Sequence, residues 1–418
     1  MITDFLLALL SLILTLLIIT TILVVVRTIV FQRSHKSIEK VEGVPVDEQQ
    51  VAEHLAEAVR CKTVPLDEKG TPDPEAFRQL HQMLEKTYPL VHKKLKLQIV
   101  NNYSLVYIWT GSRTDLDPVM LMAHQDVVSA DPVSLAEWTY PPFDGCIEDG
   151  FIWGRGTLDI KNQLIGIMEA AEKLLEKGFR PERTILFGFG HDEETGGVNG
   201  CKVVGQMLKE RGVHLAGIVD EGGGISDGLV PGVRGPIALV ATSEKGYLTV
   251  KFSVHGQPGH SSTPPDQTSI GILARALARL ESHPMPTHLR RIRSMYHRIG
   301  KAAPLYLQIA FANVWLFGPW LRRWLVKNPE MNASIRTTTA LTIVQGGIED
   351  NTIPSDAQAF VNFRLLPGDS IAEVLWHAKK VIKDERVKFA PVEGKFNEAL
   401  PVSSIKDPVY KGLCNVIQ

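Results

Sequence analysis

The fold of this chain is constrained most by apolar, strand-like runs that are followed at once by acidic or imidazole side chains. The runs cover residues 119–123, 184–190 and 215–219. The side chains that follow them, or that lie in a nearby glycine-rich turn, are His124, Asp126, Asp159, Glu193, Glu194 and Asp220. Because the carboxyl ends of strands in an open α/β sheet form the ligand crevice, we expect these residues to meet there. Imidazole and carboxylate together suit zinc, and the carboxylates also accept manganese or cobalt.

The pattern of helices and strands predicts two kinds of domain. Helical stretches at 164–177 and 198–211 alternate with the apolar runs, which predicts an α/β fold with a parallel-rich sheet flanked by helices. Beyond about residue 235, alternating strands around a helix at 269–280 predict an inserted α+β domain. A chain of 418 residues is long enough for two or more domains.

These patterns give a set of predicted boundaries. Residues 1–26 are a transmembrane signal anchor or a signal peptide, and 27–45 are a charged tether. The catalytic domain is expected at 46–235 and again at 367–418, with a lid and dimerisation domain at 236–366 inserted between its two parts.

The N-terminal segment predicts a membrane span. Residues 5–26 carry no charge, and a bilayer-spanning helix needs about 20 apolar residues. A cleaved signal peptide is the alternative, although no basic start and no small-residue cleavage site are evident. A buried core helix is disfavoured because no face of this segment is polar.

The side of the membrane on which the body lies is left open by two opposing signals. Basic residues at positions 27, 33, 36 and 40 follow the segment, which favours a cytoplasmic body. Two glycosylation sequons, at Asn102 and Asn332, favour a lumenal body. We predict a membrane-anchored or secreted protein whose catalytic body is lumenal or extracellular.

Charge and cysteine content exclude several classes. The net charge of −1 gives no reason to expect nucleic acid as a partner. The four cysteines contain no CxxC pair, so they indicate neither a disulfide framework nor a zinc finger.

The acidic motifs differ in how strongly they indicate a metal site. On an extended strand His124 and Asp126 point the same way, so one can bind metal while the other orients it, although a satisfied core histidine is the alternative. The neighbouring carboxylates of Glu193 and Glu194 repel each other unless cations or solvent screen them. The glycines on both sides of this pair favour close packing over a solvated turn.

Several motifs resemble the dizinc aminoacylase/carboxypeptidase family, and within it the branch of carboxypeptidase S and the N-fatty-acyl-amino acid synthase/hydrolases. They are GRGTLDIK, GHDEETGG, IVDEGG, SEKGY, GHSSTPP and NFRLLPG. The resemblance implies an amidohydrolase with two zinc ions that cleaves N-acyl amino acids, especially N-fatty-acyl amino acids, and forms them in reverse. A peptide carboxypeptidase acting on dipeptides and a catalytically impaired binding protein are the alternatives.

The resemblance also implies roles for the acidic residues. Asp159 would bridge the metals, His124 and Asp220 would complete one site, and Glu194 would bind the other ion. Glu193 would be the general base, and Asp126 would orient its neighbours. The peptide bond after Asp159 is expected to be cis.

In the lid, the resemblance assigns oxyanion stabilisation to His260, which would act across a homodimer, and assigns the substrate carboxylate to Asn351 and Arg364. The family also uses a late histidine as a ligand, and His377 comes too early for that role. We therefore expect the chain to be a truncated form with an incomplete second site. The apolar stretch 305–326 is either a self-packed helical hairpin or a surface for an acyl chain or a bilayer.

Overall fold

The structure is a computed structural model that describes residues 2–33, 43, 45–67, 70–228, 233, 235–290, 293–300 and 302–417. The chain forms two compact units, which we name for their place in the sequence. The middle unit is Val41–Gly222, and the flanking unit combines Met1–Lys40 with Gly223–Gln418.

The chain begins with one long helix, α1 (Ile2–Arg33), in the flanking unit. It is long and apolar enough to cross a membrane, and its most apolar window is unburied. Within the predicted tether, residues 27–33 continue this helix, and Phe31 is buried. Residues 34–42 and 44 of the tether lie outside the described residues.

The middle unit is built on a five-stranded sheet with the strand order β1-β2-β6-β3-β7. Its strands, with the hairpin β4–β5, are β1 (Lys96–Val100), β2 (Ser104–Trp109), β3 (Val119–His124), β4 (Cys146–Glu148), β5 (Phe151–Trp153), β6 (Ile185–Gly190) and β7 (Gly217–Val219). The pairs β3–β6 and β3–β7 are parallel, whereas β1–β2 and β2–β6 are antiparallel. The three parallel strands therefore end at one edge of the sheet.

Helices cover both faces of this sheet. They are α2 (Glu48–Arg60), α3 (Pro74–Thr87), α4 (Pro89–Lys94), α5 (Lys161–Glu176) and α6 (Cys201–Glu210). Side chains alternate across a strand, so in β3 Ala123 joins the core formed with α2, α3 and α5, while Met120 joins the core formed with α6. Burial on both faces explains the continuous apolar run of β3.

The flanking unit contains a four-stranded antiparallel sheet with the order β12-β14-β10-β15. Its strands and short hairpins are β8 (Gly224–Ser226), β9 (Ile237–Leu239), β10 (Gly246–His255), β11 (Gly259–His260), β12 (Thr338–Gly346), β13 (Thr352–Ile353), β14 (Asp356–Leu365) and β15 (Val387–Asn397). Its further helices are α7 (Ser269–Ser282), α8 (Arg293–Ile299), α9 (Leu305–Ala312), α10 (Val314–Leu325), α11 (Pro329–Ile335), α12 (Ile371–Ile382) and α13 (Pro408–Ile417). The predicted fold class, an α/β sheet with helices plus an α+β domain, is confirmed.

One predicted boundary is corrected by strand pairing. Residues 367–418 were assigned to the second part of the catalytic domain, but β15 pairs antiparallel with β10 in the sheet of the flanking unit. The Phe389 ring of β15 stacks on Phe252 with centroids 5.2 Å apart, and α12 contributes Val374 to the same core. Residues 371–397 therefore belong to this α+β sheet, and the other boundaries stay predictions.

Candidate metal centre

The parallel strands of the middle unit deliver the acidic motifs to one edge of the sheet. His124 is the last residue of β3, the 3-10 turn Glu193–Thr195 follows the end of β6, and Glu221 lies two residues after β7. Asp159 comes just before α5, next to a cis peptide bond with Ile160 that confirms the expectation for this position.

The imidazole of His124 is the centre of the cluster. Its Nε2 atom lies 3.0 Å from Asp159 Oδ1, 3.4 Å from Glu221 Oε2 and 3.8 Å from Glu193 Oε2. Ligand atoms fall into two overlapping groups, His124–Glu193–Glu221 and His124–Asp159–Glu194, in each of which they lie within 4.8 Å of one another. The structure thus brings together residues from four separate motifs of the sequence.

Asp126 orients the turn that carries Glu193 and Glu194. Its side chain is only 1% exposed, and its two carboxylate oxygens accept hydrogen bonds from the backbone N–H groups of Glu193, at 3.1 Å, and Glu194, at 2.9 Å. The Nδ1 atom of His124 lies 2.9 Å from the Asp126 carbonyl oxygen. Because a carbonyl only accepts, Nδ1 carries a proton, and Nε2 is the ring nitrogen that faces the cluster and would bind a metal ion.

The electrostatics of the cluster favour the binding of a cation. Burial lowers the pKa of His124, but the carboxylate of Asp126, followed by Glu221 and Glu193, outweighs burial and raises this pKa to about 10. Burial, opposed by His124, combines with repulsion from Glu193 and Asp159 to raise the pKa of Glu221 to about 7. Carboxylates crowded in this way repel one another, and a divalent metal ion removes the repulsion.

The donor set fits a divalent metal ion. One imidazole nitrogen and the carboxylates of Asp159, Glu193, Glu194 and Glu221 converge there, and zinc, manganese and cobalt accept such ligands. The side chain of Asp159 is 70% exposed, so the cluster is open to solvent and to a ligand.

The structure adds Glu221 to the cluster beside Asp220, which stays a predicted ligand. Among the described residues, Asp220 gives no ligand atom to either group, and it is exposed, whereas Glu221 is half-buried beside His124. Asp220 still acts on the cluster, because its charge is among those that raise the pKa of Glu193 and of Glu221. The paired carboxylates of the VDEGGG motif were the signal for Glu221.

A second residue that sequence reasoning missed is Lys161, which positions the loop of Asp159. Its side chain is fully buried, and its Nζ donates to the carbonyl oxygens of Ala58, at 2.8 Å, and Cys61. These bonds tie the start of α5 to the end of α2. The signal available in the sequence was a lysine directly after an apolar residue in the GRGTLDIK motif.

The three predicted lid residues divide into two places within the flanking unit. His260 lies on β11, which pairs with β13, and the N–H of Ser261 donates to the Asn351 carbonyl oxygen at 3.0 Å. Arg364 lies near the far end of β14, with its guanidinium 4.9 Å from the Tyr247 ring centre. The eight-residue step from Asp356 to Arg364 corresponds to about 26 Å along a strand. Arg364 thus lies far along β14 from the strand end that follows Asn351, and the roles of Asn351 and Arg364 toward a substrate carboxylate stay predictions.

Comparisons with known proteins agree with this fold. Residues 120–333 match the model of peptidase family M20/M25/M40. A Dictyostelium discoideum protein named probable carboxypeptidase S-like 2 is 40% identical over 413 residues, covering 96% of this chain and 79% of that protein. The N-fatty-acyl-amino acid synthase/hydrolase PM20D1 of Xenopus tropicalis is 43% identical over 361 residues, covering 85% of this chain and 69% of that protein.

A solved structure shows the same fold. The M20 family metallo-carboxypeptidase Sso-CP2 from Sulfolobus solfataricus superposes with a TM-score of 0.58 at 18% identity, over 88% of this chain and 82% of that one. The fold, the strand-end cluster and these likenesses define a metal-dependent hydrolase. The chain belongs to peptidase family M20/M25/M40, which confirms the resemblance of its motifs.

Proposed function

We propose that this protein hydrolyses N-fatty-acyl amino acids to a fatty acid and an amino acid, and joins the two in reverse. The observation that carries the reaction type is the Glu193 carboxylate, held beside the His124–Asp159 pair by the bond from its own N–H to Asp126. The substrate class is supported by the 43% identity to the Xenopus tropicalis protein that bears this activity in its name.

We assign metal binding to His124, Asp159, Glu194 and the pair Asp220 and Glu221, and we propose two zinc ions as the resident metals, with cobalt or manganese as substitutes. The four carboxylates of the two overlapping groups offer more ligands than one tetrahedral ion needs, which supports a pair of ions, one of them bound by His124. When bound, such ions supply Lewis acidity, which polarises a carbonyl and makes water more acidic.

Glu193 moves the proton in this proposal. Burial raises the pKa of Glu193, and His124 only partly opposes this, so its carboxylate is a better proton acceptor than a solvated glutamate. It takes the proton from water as the new carbon–oxygen bond forms. It then gives that proton to the amide nitrogen as the carbon–nitrogen bond breaks, and a carboxylic acid and an amine leave.

The flanking unit is proposed to act as lid and dimerisation domain. His260 is assigned to stabilise the tetrahedral oxyanion, and Asn351 and Arg364 are assigned to the substrate carboxylate. Asp356, five residues after Asn351, is about 26 Å along β14 from Arg364, and this supports a substrate site to which two chains of a homodimer contribute.

α1 is proposed to be an uncleaved membrane anchor. The last turns of α1 are part of a folded core, because Thr28 and Phe31 are both buried there. Cleavage after residue 26 would remove the Val24 carbonyl oxygen, which lies 3.3 Å from Asn313 Nδ2. We propose a lumenal or extracellular body, which the exposed sequon at Asn102 supports.

The test is a pair of glutamate variants of the full chain, assayed with N-oleoyl-phenylalanine. Glu193→Gln is expected to lower turnover by about 10²-fold or more, the usual contribution of a general base, while the metal content stays unchanged. Glu210→Gln, at an exposed position at the end of α6, is the matched control and should keep full activity. Loss of metal from Glu193→Gln would contradict its role as a base.

A carboxypeptidase S-like activity on peptides is the second candidate, favoured by the 40% identity that extends over 96% of this chain. Faster turnover of a dipeptide than of N-oleoyl-phenylalanine would select it. No turnover of either substrate by metal-loaded protein would select a binding role.

A further inference from the structure

The hairpin of α9 and α10 exposes large apolar side chains beside the end of α1. Trp315 is 53% exposed, Leu316 42% and Trp320 43%, and we call these three residues the tryptophan face. The same helix continues into two exposed basic residues, Arg322 and Arg323. An exposed apolar face that is followed by basic residues fits a partner that offers both an apolar surface and negative charge.

Hydrogen bonds fix where this hairpin lies along α1. Gln32 Nε2 donates to Gln308 Oε1 at 2.7 Å, whereas Arg27 Nε donates to the Ala312 carbonyl oxygen at 3.3 Å. Asn313 Nδ2 lies 3.3 Å from both the Val24 carbonyl oxygen and Thr28 Oγ1. α9 therefore runs antiparallel to α1, and the turn between α9 and α10 lies level with residues 24–28.

That level is the end of the uncharged segment. The apolar run ends at Val26, and Arg27 is the first charge after it. Trp315 follows the turn by two residues, so it lies at the level where a helix that spans a bilayer would leave the hydrocarbon. Tryptophan is enriched at this water–lipid boundary, and arginine side chains nearby interact with headgroups.

The hairpin and α1 form one packed body. Phe31 is 2% exposed, and a Cβ atom added at Gly300 would overlap its ring. In the same core, the rings of Tyr296 and Phe311 stack with centroids 4.1 Å apart. The tryptophan face therefore has a fixed position along α1.

We propose that the tryptophan face is a second membrane contact, which lies in the interface of the bilayer that α1 spans. This inference rests on the proposed anchoring role of α1 and is independent of the hydrolase activity. A lipid surface is favoured over a substrate acyl chain or a second copy of the chain. The reason is that the face lies level with the end of the span and is followed by basic residues.

The experiment uses the full chain in phosphatidylcholine vesicles whose acyl chains are brominated, which quenches tryptophans in contact with lipid. The chain has seven tryptophans. The double variant Trp315→Phe/Trp320→Phe is expected to lose most of the bromolipid-dependent quenching. The matched control is Trp376→Phe on α12, where the tryptophan is 62% exposed, and it should keep the quenching of the unmodified chain.

Extraction with alkaline carbonate separates this inference from the anchoring proposal. Release of the unmodified chain from the vesicles would overturn the anchor, and the inference with it. Retention of the chain with equal quenching in the double variant and in the unmodified chain would overturn the membrane contact alone. Quenching of these tryptophans by a brominated N-fatty-acyl amino acid but not by bromolipid would assign the face to the substrate. If the unmodified chain forms a dimer that the double variant does not form, and bromolipid quenches neither chain, the tryptophan face would be assigned to a second copy.

Discussion

A single buried carboxylate organises the candidate metal centre at the residue scale. Asp126 accepts the backbone N–H groups of both Glu193 and Glu194, so one side chain sets the direction of two others. The sequence shows Asp126 only as one half of an HxD pattern. Its contact with the GHDEETGG motif, 67 residues further along the chain, comes from the parallel pairing of β3 and β6.

The choice between Asp220 and Glu221 gives a prediction at this scale. Glu221→Gln is expected to weaken zinc binding by about 10-fold or more, since it removes a carboxylate 3.4 Å from His124 Nε2. Asp220→Asn is the matched control, because it changes an exposed neighbour of the same charge. Titration of the apo-protein with zinc, followed by competition with a chelator, measures both affinities.

The opposite order of the two affinities would select Asp220 as the ligand. Equal, strong loss in both variants would show that the total charge of the cluster governs affinity, and would contradict the assignment of a ligand to either position by geometry.

At the scale of elements, local signals in the sequence predicted the strands that carry the site. The apolar run at 119–123 became β3, and the run at 184–190 contains β6, because buried central strands are apolar along their whole length. The position of the acidic residues could also be predicted, because each strand ends where its apolar run stops and the acidic residues follow that run. The side chain that faces the cluster after β7 depends on register, which is set by pairing with β3.

Two elements could not be predicted because distant contacts determine them. β15 belongs to the sheet of the flanking unit through its pairing with β10, more than 100 residues earlier in the sequence, and the sequence of a strand does not identify its pairing partner. α1 continues from Arg27 to Arg33 because Phe31 packs into a core of the flanking unit and Thr28 is buried.

The capping box of α12 gives a prediction at the scale of elements. Ser370 Oγ accepts the N–H of Glu373 at 3.2 Å, and the Glu373 carboxylate accepts the N–H of Ser370 at 2.8 Å. Ser370→Ala is expected to lower the local stability of α12 by about 1 kcal/mol, the usual cost of losing such a cap. Hydrogen exchange of the first-turn amides of α12 measures the change.

The control for this variant is Ser403→Ala in the same unit, whose described hydrogen bond runs through its backbone N–H to Thr242. Unchanged exchange in Ser370→Ala, or the same change in both variants, would contradict a stabilising cap at the start of α12.

The orientation of the whole molecule depends on one helix. Among the described residues, α1 is the helix that is long and apolar enough to cross a membrane. Everything after α1 is therefore expected on one side of the bilayer, so one glycosylation site reports the side for the whole body.

The two sequons differ in structure, and this gives the last prediction. Asn102 is exposed in the turn between β1 and β2, whereas Asn332 lies within α11 with its Oδ1 atom buried. If the body is lumenal, as proposed, we expect glycan at Asn102 and little or none at Asn332, because the transferase needs an accessible, flexible asparagine. Digestion with an N-glycosidase should shift the mobility of the unmodified chain and of Asn332→Gln, but not of Asn102→Gln. An unmodified chain that carries no glycan when expressed in a secretory cell would place the body in the cytoplasm, as the basic residues after α1 favour.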